Sequence, residues 1–160
     1  MTTVIAIDPG AKGGLALFNN GITVCWPLPE TDGDRLQELL AIRDAAALEG
    51  SEIRCVIEQV GGFIGKGQPG SAMFKFGAGY GFLLGVIQTL GIPLARVTPQ
   101  VWQKVFGLGT RASCASPREW KNKLKAEAQR RFPHLPVTLQ TADALLILEW
   151  HKISVGACPP

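Results

Sequence analysis

Residues 4–18, VIAIDPGAKGGLALF, decide the fold. Thr3 to Asp8 reads as a buried strand and Gly13 to Phe18 as a second. Ile22 to Trp26 reads as a third, with Asn19-Asn20-Gly21 as the turn between the last two. The three form an antiparallel meander whose first strand ends on an acid, Asp8.

Two further acids stand in similar surroundings: Glu58 in CVIEQVGG (55–62) and Asp143 in TADALLILEW (141–150). Asp8 and Glu58 end apolar β-type runs, and Asp143 opens an apolar helix. A carboxylate flanked by Ile, Val and Ala is expensive to bury unpaired, so each needs a cation, a hydrogen-bond donor or water. A divalent metal answers all three needs at once. Each acid also has a plainer account. Asp8 suits a turn before Pro9-Gly10, Glu58 a strand end facing solvent, and Asp143 a first helical turn interacting with the dipole. Taken together, the matching contexts favour one site.

At 160 residues the chain is long enough for one sizeable core. We expect a single domain over 1–155 and a disordered tail at 156–160. The net charge is only +3, yet Arg96 to Arg131 carries nine Lys or Arg against Glu119 and Glu127. Glu30 to Glu58 is mainly acidic. The asymmetry suits a polyanionic partner, or else a solvated basic helix. Cys25, Cys55, Cys114 and Cys158 show no metal or disulfide spacing, and Cys55 is placed to pack as a small hydrophobe. The N-terminus enters a strand without a signal peptide, and no apolar stretch looks long and uniform enough to cross a bilayer. The expectation is a soluble intracellular protein.

Asp34 to Leu48 has helical spacing, and Arg54 to Glu58 is a buried strand placed beside the first by a right-handed crossover. GGFIGKGQPG (61–70) is too rich in glycine for regular structure and forms a loop directly after Glu58. Ser71 to Leu90 follows as an apolar helix ended by Gly91, and Ile92 to Val97 as a strand. Thr98-Pro99 and Ser116-Pro117 both read as cap-then-proline helix starts, separated by a polar loop over Gly107 to Ser116. The first of these helices carries Val101, Trp102, Val105 and Phe106; the second is basic and ends near Phe132-Pro133. A last helix runs from about Thr141 to Ile153 and packs its Leu145, Leu146, Leu148 face on the sheet. The order describes an α/β protein with a mixed five-stranded sheet and helices on both faces, the ribonuclease H-like fold.

IAIDPGAKGGLAL (5–17), VIEQV (56–60), VTPQVWQKVFGL (97–108) and TADALLIL (141–148) together resemble the RuvC-type Holliday-junction resolvases, in order and over nearly the whole chain. Residues 74–108 look closest to the chloroplast branch. The resemblance implies a metal-dependent endonuclease that hydrolyses phosphodiesters in four-way DNA junctions with two Mg²⁺ ions, Mn²⁺ substituting. It implies Asp8, Glu58 and Asp143 as catalytic metal ligands. The family's fourth ligand, commonly Asp or His, stands three residues before the last acid, and here that position is Gln140. An amide oxygen can ligate Mg²⁺ but is neutral and weaker; His134 and Glu149 are the possible substitutes.

Lys104, Arg111, Lys121, Lys123 and Lys125 would then meet backbone phosphates, with Lys121 and Lys125 on one helical face and one lysine near the scissile phosphate. Phe63 would stack on bases at the junction centre or fold into the core, and Lys66 would contact phosphate or base. Gly77, Gly81 and Gly85 give their helix a flat face, suited to the same helix in a second subunit or to this subunit's own sheet. A homodimer would match the twofold junction and cut paired strands, in a bacterial or phage-infected cytoplasm or in an organelle. Three other classes compete: a monomeric ribonuclease H acting on RNA–DNA hybrid, a nucleotide-binding half of an actin-like ATPase suggested by DPGAKGG, and a junction-binding module whose catalysis is lost through Gln140.

Overall fold

The computed structural model describes residues 1–59, 61 and 70–156. β1 (Thr2–Ile7), β2 (Gly14–Asn19) and β3 (Ile22–Pro27) form the expected meander. Asn20 (φ 49°) and Gly21 (φ 85°) both take the left-handed conformation that a tight two-residue hairpin turn requires. α1 (Asp32–Leu48) starts at a Thr31 cap and leads into β4 (Glu52–Glu58). α2 (Gly70–Thr89), β5 (Leu94–Val97), α3 (Pro99–Lys104), α4 (Pro117–Arg131) and α5 (Ala142–Gly156) complete the chain.

The sheet order is β3-β2-β1-β4-β5, with β1–β4 and β4–β5 parallel and the meander antiparallel. Helices cover both faces. Ile5, Ile7, Leu15, Cys55 and Ile57 pack against α1 and α2 through Leu39, Ile42, Leu83, Val86 and Ile87. Val4, Ala6, Ala16 and Val56 pack on the other face, against Trp102, Trp120, Leu124 and the buried start of α5. The pleat alternates along each strand. Continued one step past Val4-Ala6 and Val56, it sends Asp8 and Glu58 toward the α3/α4/α5 face. The pairing Ile7↔Ile57 brings the two acids level.

Several boundaries differ from the sequence reading. β5 begins at Leu94 because Ile92 and Pro93 form the connection, where the Ile87 carbonyl accepts from Ile92 N and the Pro93 carbonyl accepts from Cys55 N. α3 stops at Lys104, leaving Val105 in a turn closed by Gly107 at φ 64°. The loop after it holds a 3₁₀ turn, Arg111–Ser113. α5 runs to Gly156, so that residue belongs to the helix, and 157–160 lie outside the described residues. All seven residues from Ala142 to Leu148 are buried, where the sequence suggested one apolar face. The reason is that α5 lies between the sheet and α4.

By length and composition alone α2 would reach across a bilayer, but part of it packs in the core. Its Leu83, Val86 and Ile87 belong to the core, which fixes one side of the helix to the sheet.

Candidate active site

The glycines of DPGAKGG let three chain segments meet at Asp8. A Cβ on Gly13 would stand 2.0 Å from the Asp8 carbonyl oxygen, and one on Gly14 would stand 2.4 Å from the Gln140 carbonyl oxygen. Neither approach tolerates a side chain. The segment leading into α5 therefore crosses the start of β2 beside Asp8. Asp143 lies in the first turn of α5, the end whose dipole favours an anion.

Each of the three acids has one oxygen engaged. Gly10 N donates to Asp8 Oδ1 at 3.0 Å, so the turn role suggested for Asp8 is real and uses one oxygen. Trp102 Nε1 donates to Glu58 Oε2 at 2.8 Å. Lys121 Nζ donates to Asp143 Oδ2, while Asp143 Oδ1 is buried without a partner among the described residues. Glu58 is half-buried, so a solvent-facing strand end does not describe it. Asp8 and Asp143 are buried.

The acids repel one another in this environment. Burial and then the Asp143 charge push the Asp8 carboxyl up to about 6, against relief from Lys121 and Gly10. Burial and then Asp8 push Glu58 up to about 8, with Trp102 opposing. The acid cluster holds the Lys121 ammonium above its ordinary range, although burial works the other way. Among the described residues, no three His, Cys, Asp or Glu side chains stand close enough to hold one metal ion. The donors nonetheless fit a hard divalent cation in kind: all are carboxylate oxygens, and one of them is buried and orphaned.

These shifts set the pH dependence of the metal-free protein. Both carboxyls have raised folded-state values, so the folded state holds its protons after the unfolded chain has released them. Stability is fully present below about 4, the ordinary carboxylate range, and is lost as pH rises through about 6 and then about 8. Thermal melts in chelator are expected to show a falling melting temperature from pH 5 to 8.5, and added Mg²⁺ to restore most of the loss at the upper end.

A cleft of about 1080 Å³ opens beside the acids, lined by Glu58, Asp143 and Lys121 together with Gln103, Lys104 and Arg111. Three of the six basic residues singled out in the sequence, Lys104, Arg111 and Lys121, therefore line it. The shared face expected for Lys121 and Lys125 does not bring Lys125 to the cleft, and Lys123 is paired with Glu119 at 3.9 Å. Phe63 and Lys66 lie outside the described residues. Gln140 is half-buried, with its main chain against Gly14. Of the two suggested substitutes, Glu149 pairs with Arg131 at 3.1 Å, and His134 is exposed in the turn after α4.

By sequence pattern Trp102 is only an apolar helix residue. The signal that finds it is geometric. Glu58 pairs with Val97, so the helix that follows β5 must pass over Glu58, and a buried indole N–H there seeks an acceptor.

No protein-family model matches this sequence, and no curated protein matches it. Among solved structures, one of Thermus thermophilus RuvC superposes with a TM-score of 0.58 at 18% identity, covering 98% of this chain and 96% of that one. The chain has the RuvC fold. A structure of T. thermophilus RuvC in complex with a Holliday junction substrate matches at TM-score 0.58 and 16% identity over the same shares. At these identities the likeness speaks for the sheet order and the helices on both faces.

Proposed function

We propose that this chain is a divalent-metal-dependent endonuclease that resolves four-way DNA junctions. The observation that carries the reading is the convergence of Asp8, Glu58 and Asp143 beside a cleft lined by Lys104, Arg111 and Lys121. The RuvC fold, one of whose solved structures is a Holliday junction complex, supports the choice of substrate. The glycine- and aromatic-rich α2 and the Trp-Lys segment extend the reading to the chloroplast branch.

In the reaction, water attacks the phosphorus and the bond to the 3′ oxygen breaks, leaving a 5′-phosphate and a 3′-hydroxyl. Asp8, Glu58 and Asp143, with the Gln140 amide as a fourth donor, would hold Mg²⁺ or Mn²⁺, which supplies charge neutralisation and a more acidic water. Lys121 pairs with Asp143, and its ammonium would stabilise charge on the scissile phosphate. Lys104 and Arg111 bind flanking phosphates, while Lys123 and Lys125 contribute to the field farther along the DNA. Phe63, in the segment after Glu58, would meet bases at the junction centre, and Lys66 a phosphate or base.

A second subunit completes the reading. Among the described residues a Cβ on Gly77, Gly81 or Gly85 would meet nothing within 4 Å, so no described part of the sheet packs on these glycines. With Phe74 79% exposed nearby, α2 presents an apolar, close-approach face suited to its own copy. Gly81→Glu is expected to leave the fold intact and convert a dimer to a monomer that nicks instead of cutting paired strands. Light scattering checks this, and an unchanged mass would place the interface elsewhere.

The deciding experiment incubates the protein with a labelled synthetic four-way junction, duplex DNA and RNA–DNA hybrid, with and without Mg²⁺. Paired symmetric cuts confined to the junction are expected. Hybrid cleavage would move the reading to a ribonuclease H, and tight junction binding without cutting to a binding protein.

A further inference from the structure

We infer that Trp102 is a positioning residue that fixes the Glu58 carboxylate, an inference that rests on the nuclease reading above. Trp102 is fully buried, and its ring meets Phe106 edge-on at 6.4 Å and 65°. Its position is therefore held by the core. Glu58 is the last residue of β4, and its neighbour Gln59 donates its backbone N–H to the Val97 carbonyl at 2.7 Å. Main chain and side chain of this segment are thus both referenced to the β5–α3 unit: the main chain through Val97 and the carboxylate through the indole at 2.8 Å.

The type of donor matters. A lysine here would cancel the charge that a cation site needs. An indole N–H is neutral, so it fixes one oxygen and leaves the carboxylate anionic. A buried indole seeks an acceptor but does not always find one: among the described residues Trp26 Nε1 is also buried and has no partner. The fold therefore tolerates an unpaired indole, and the bond at Trp102 calls for its own explanation. Gln103 and Lys104, the next two residues of α3, line the cleft. The helix that orients Glu58 is thus also one that substrate would touch.

The test compares Trp102→Phe with wild type. Phenylalanine keeps the aromatic packing and removes the donor. Loss of such an outer partner is expected to weaken Mg²⁺ affinity by about 10–100-fold in calorimetry and to lower kcat by a similar factor, with junction Kd unchanged. A variant that melts earlier yet binds Mg²⁺ as wild type does would overturn the inference and leave Trp102 as core only. Should the variant fail to fold, the indole N–H resonances of the wild-type protein carry the test. The Trp102 signal, assigned by elimination through Phe at Trp26, Trp120 and Trp150, is expected to move upfield in Glu58→Gln and to shift on Mg²⁺ titration. A signal indifferent to both overturns the inference. A wild-type protein that neither binds Mg²⁺ nor cuts junctions would overturn the nuclease reading and this inference with it, whereas the preceding failures touch Trp102 alone.

Discussion

Asp8→Asn is expected to abolish junction cleavage, by roughly a thousandfold, while making the metal-free protein more stable at pH 8. Loss of a carboxylate that would hold the metal forfeits transition-state charge stabilisation of several kcal/mol, and about 4 kcal/mol is about three decades in rate. The stability effect has the opposite sign. The Asp8 carboxyl is displaced from 3.8 to about 6 by burial and by Asp143. At about 1.4 kcal/mol per pH unit, its ionisation is unfavourable by about 3 kcal/mol in the empty site. Asparagine keeps an acceptor for Gly10 N and removes the charge, so a gain of about 2 kcal/mol, or roughly 4–8 °C, is expected in chelator. Thermal melts and a junction cleavage assay on the same preparation check both signs. A carboxylate that served only the turn would show neither effect.

Lys121→Met is expected to lose cleavage as well, but to be destabilised. Lys121 is the present countercharge for Asp143, whose side chain is 6% exposed and whose other oxygen has no partner among the described residues. Losing the partner of a buried charge costs about 3–5 kcal/mol; because Lys121 itself is 47% exposed, about 2 kcal/mol is the better expectation. Methionine preserves the length and apolar stem of the side chain, so the loss reports the charge. The ammonium and a divalent ion also compete for Asp143. The variant should therefore gain more from added Mg²⁺ than wild type does, measured as the rise in melting temperature between chelator and 10-fold excess metal. A variant as stable as wild type, with no enhanced response to Mg²⁺, would remove Lys121 from the site. The contrast with Asp8→Asn separates the two roles: one substitution relieves the cluster's repulsion, and the other exposes it.

Much of the site was legible because it stands at places that local rules mark. Asp8 follows a run of apolar strand residues, Glu58 ends another, and Asp143 opens a helix after a turn. Those positions hold in the structure. The cap-then-proline signals at Thr98 and Ser116 likewise placed the starts of α3 and α4. Less legible were properties that depend on what lies opposite. Periodicity suggested one buried face for α5, yet two layers close over it. Helical spacing grouped Lys121 with Lys125, yet only Lys121 lines the cleft.

The sequence by itself determined the element order, the meander and the three acids, because strand alternation, turn chemistry and helix caps act over a few neighbouring residues. Only the tertiary structure decided that Glu58 is held by Trp102, 44 positions away, and that Asp143 is held by Lys121, 22 positions away. Only it showed that Glu149 is already taken by Arg131 and that no described residue packs against Gly77, Gly81 or Gly85 of α2. Such facts rest on register and helix placement, and therefore on the packing of the whole core, which no local stretch of chain encodes.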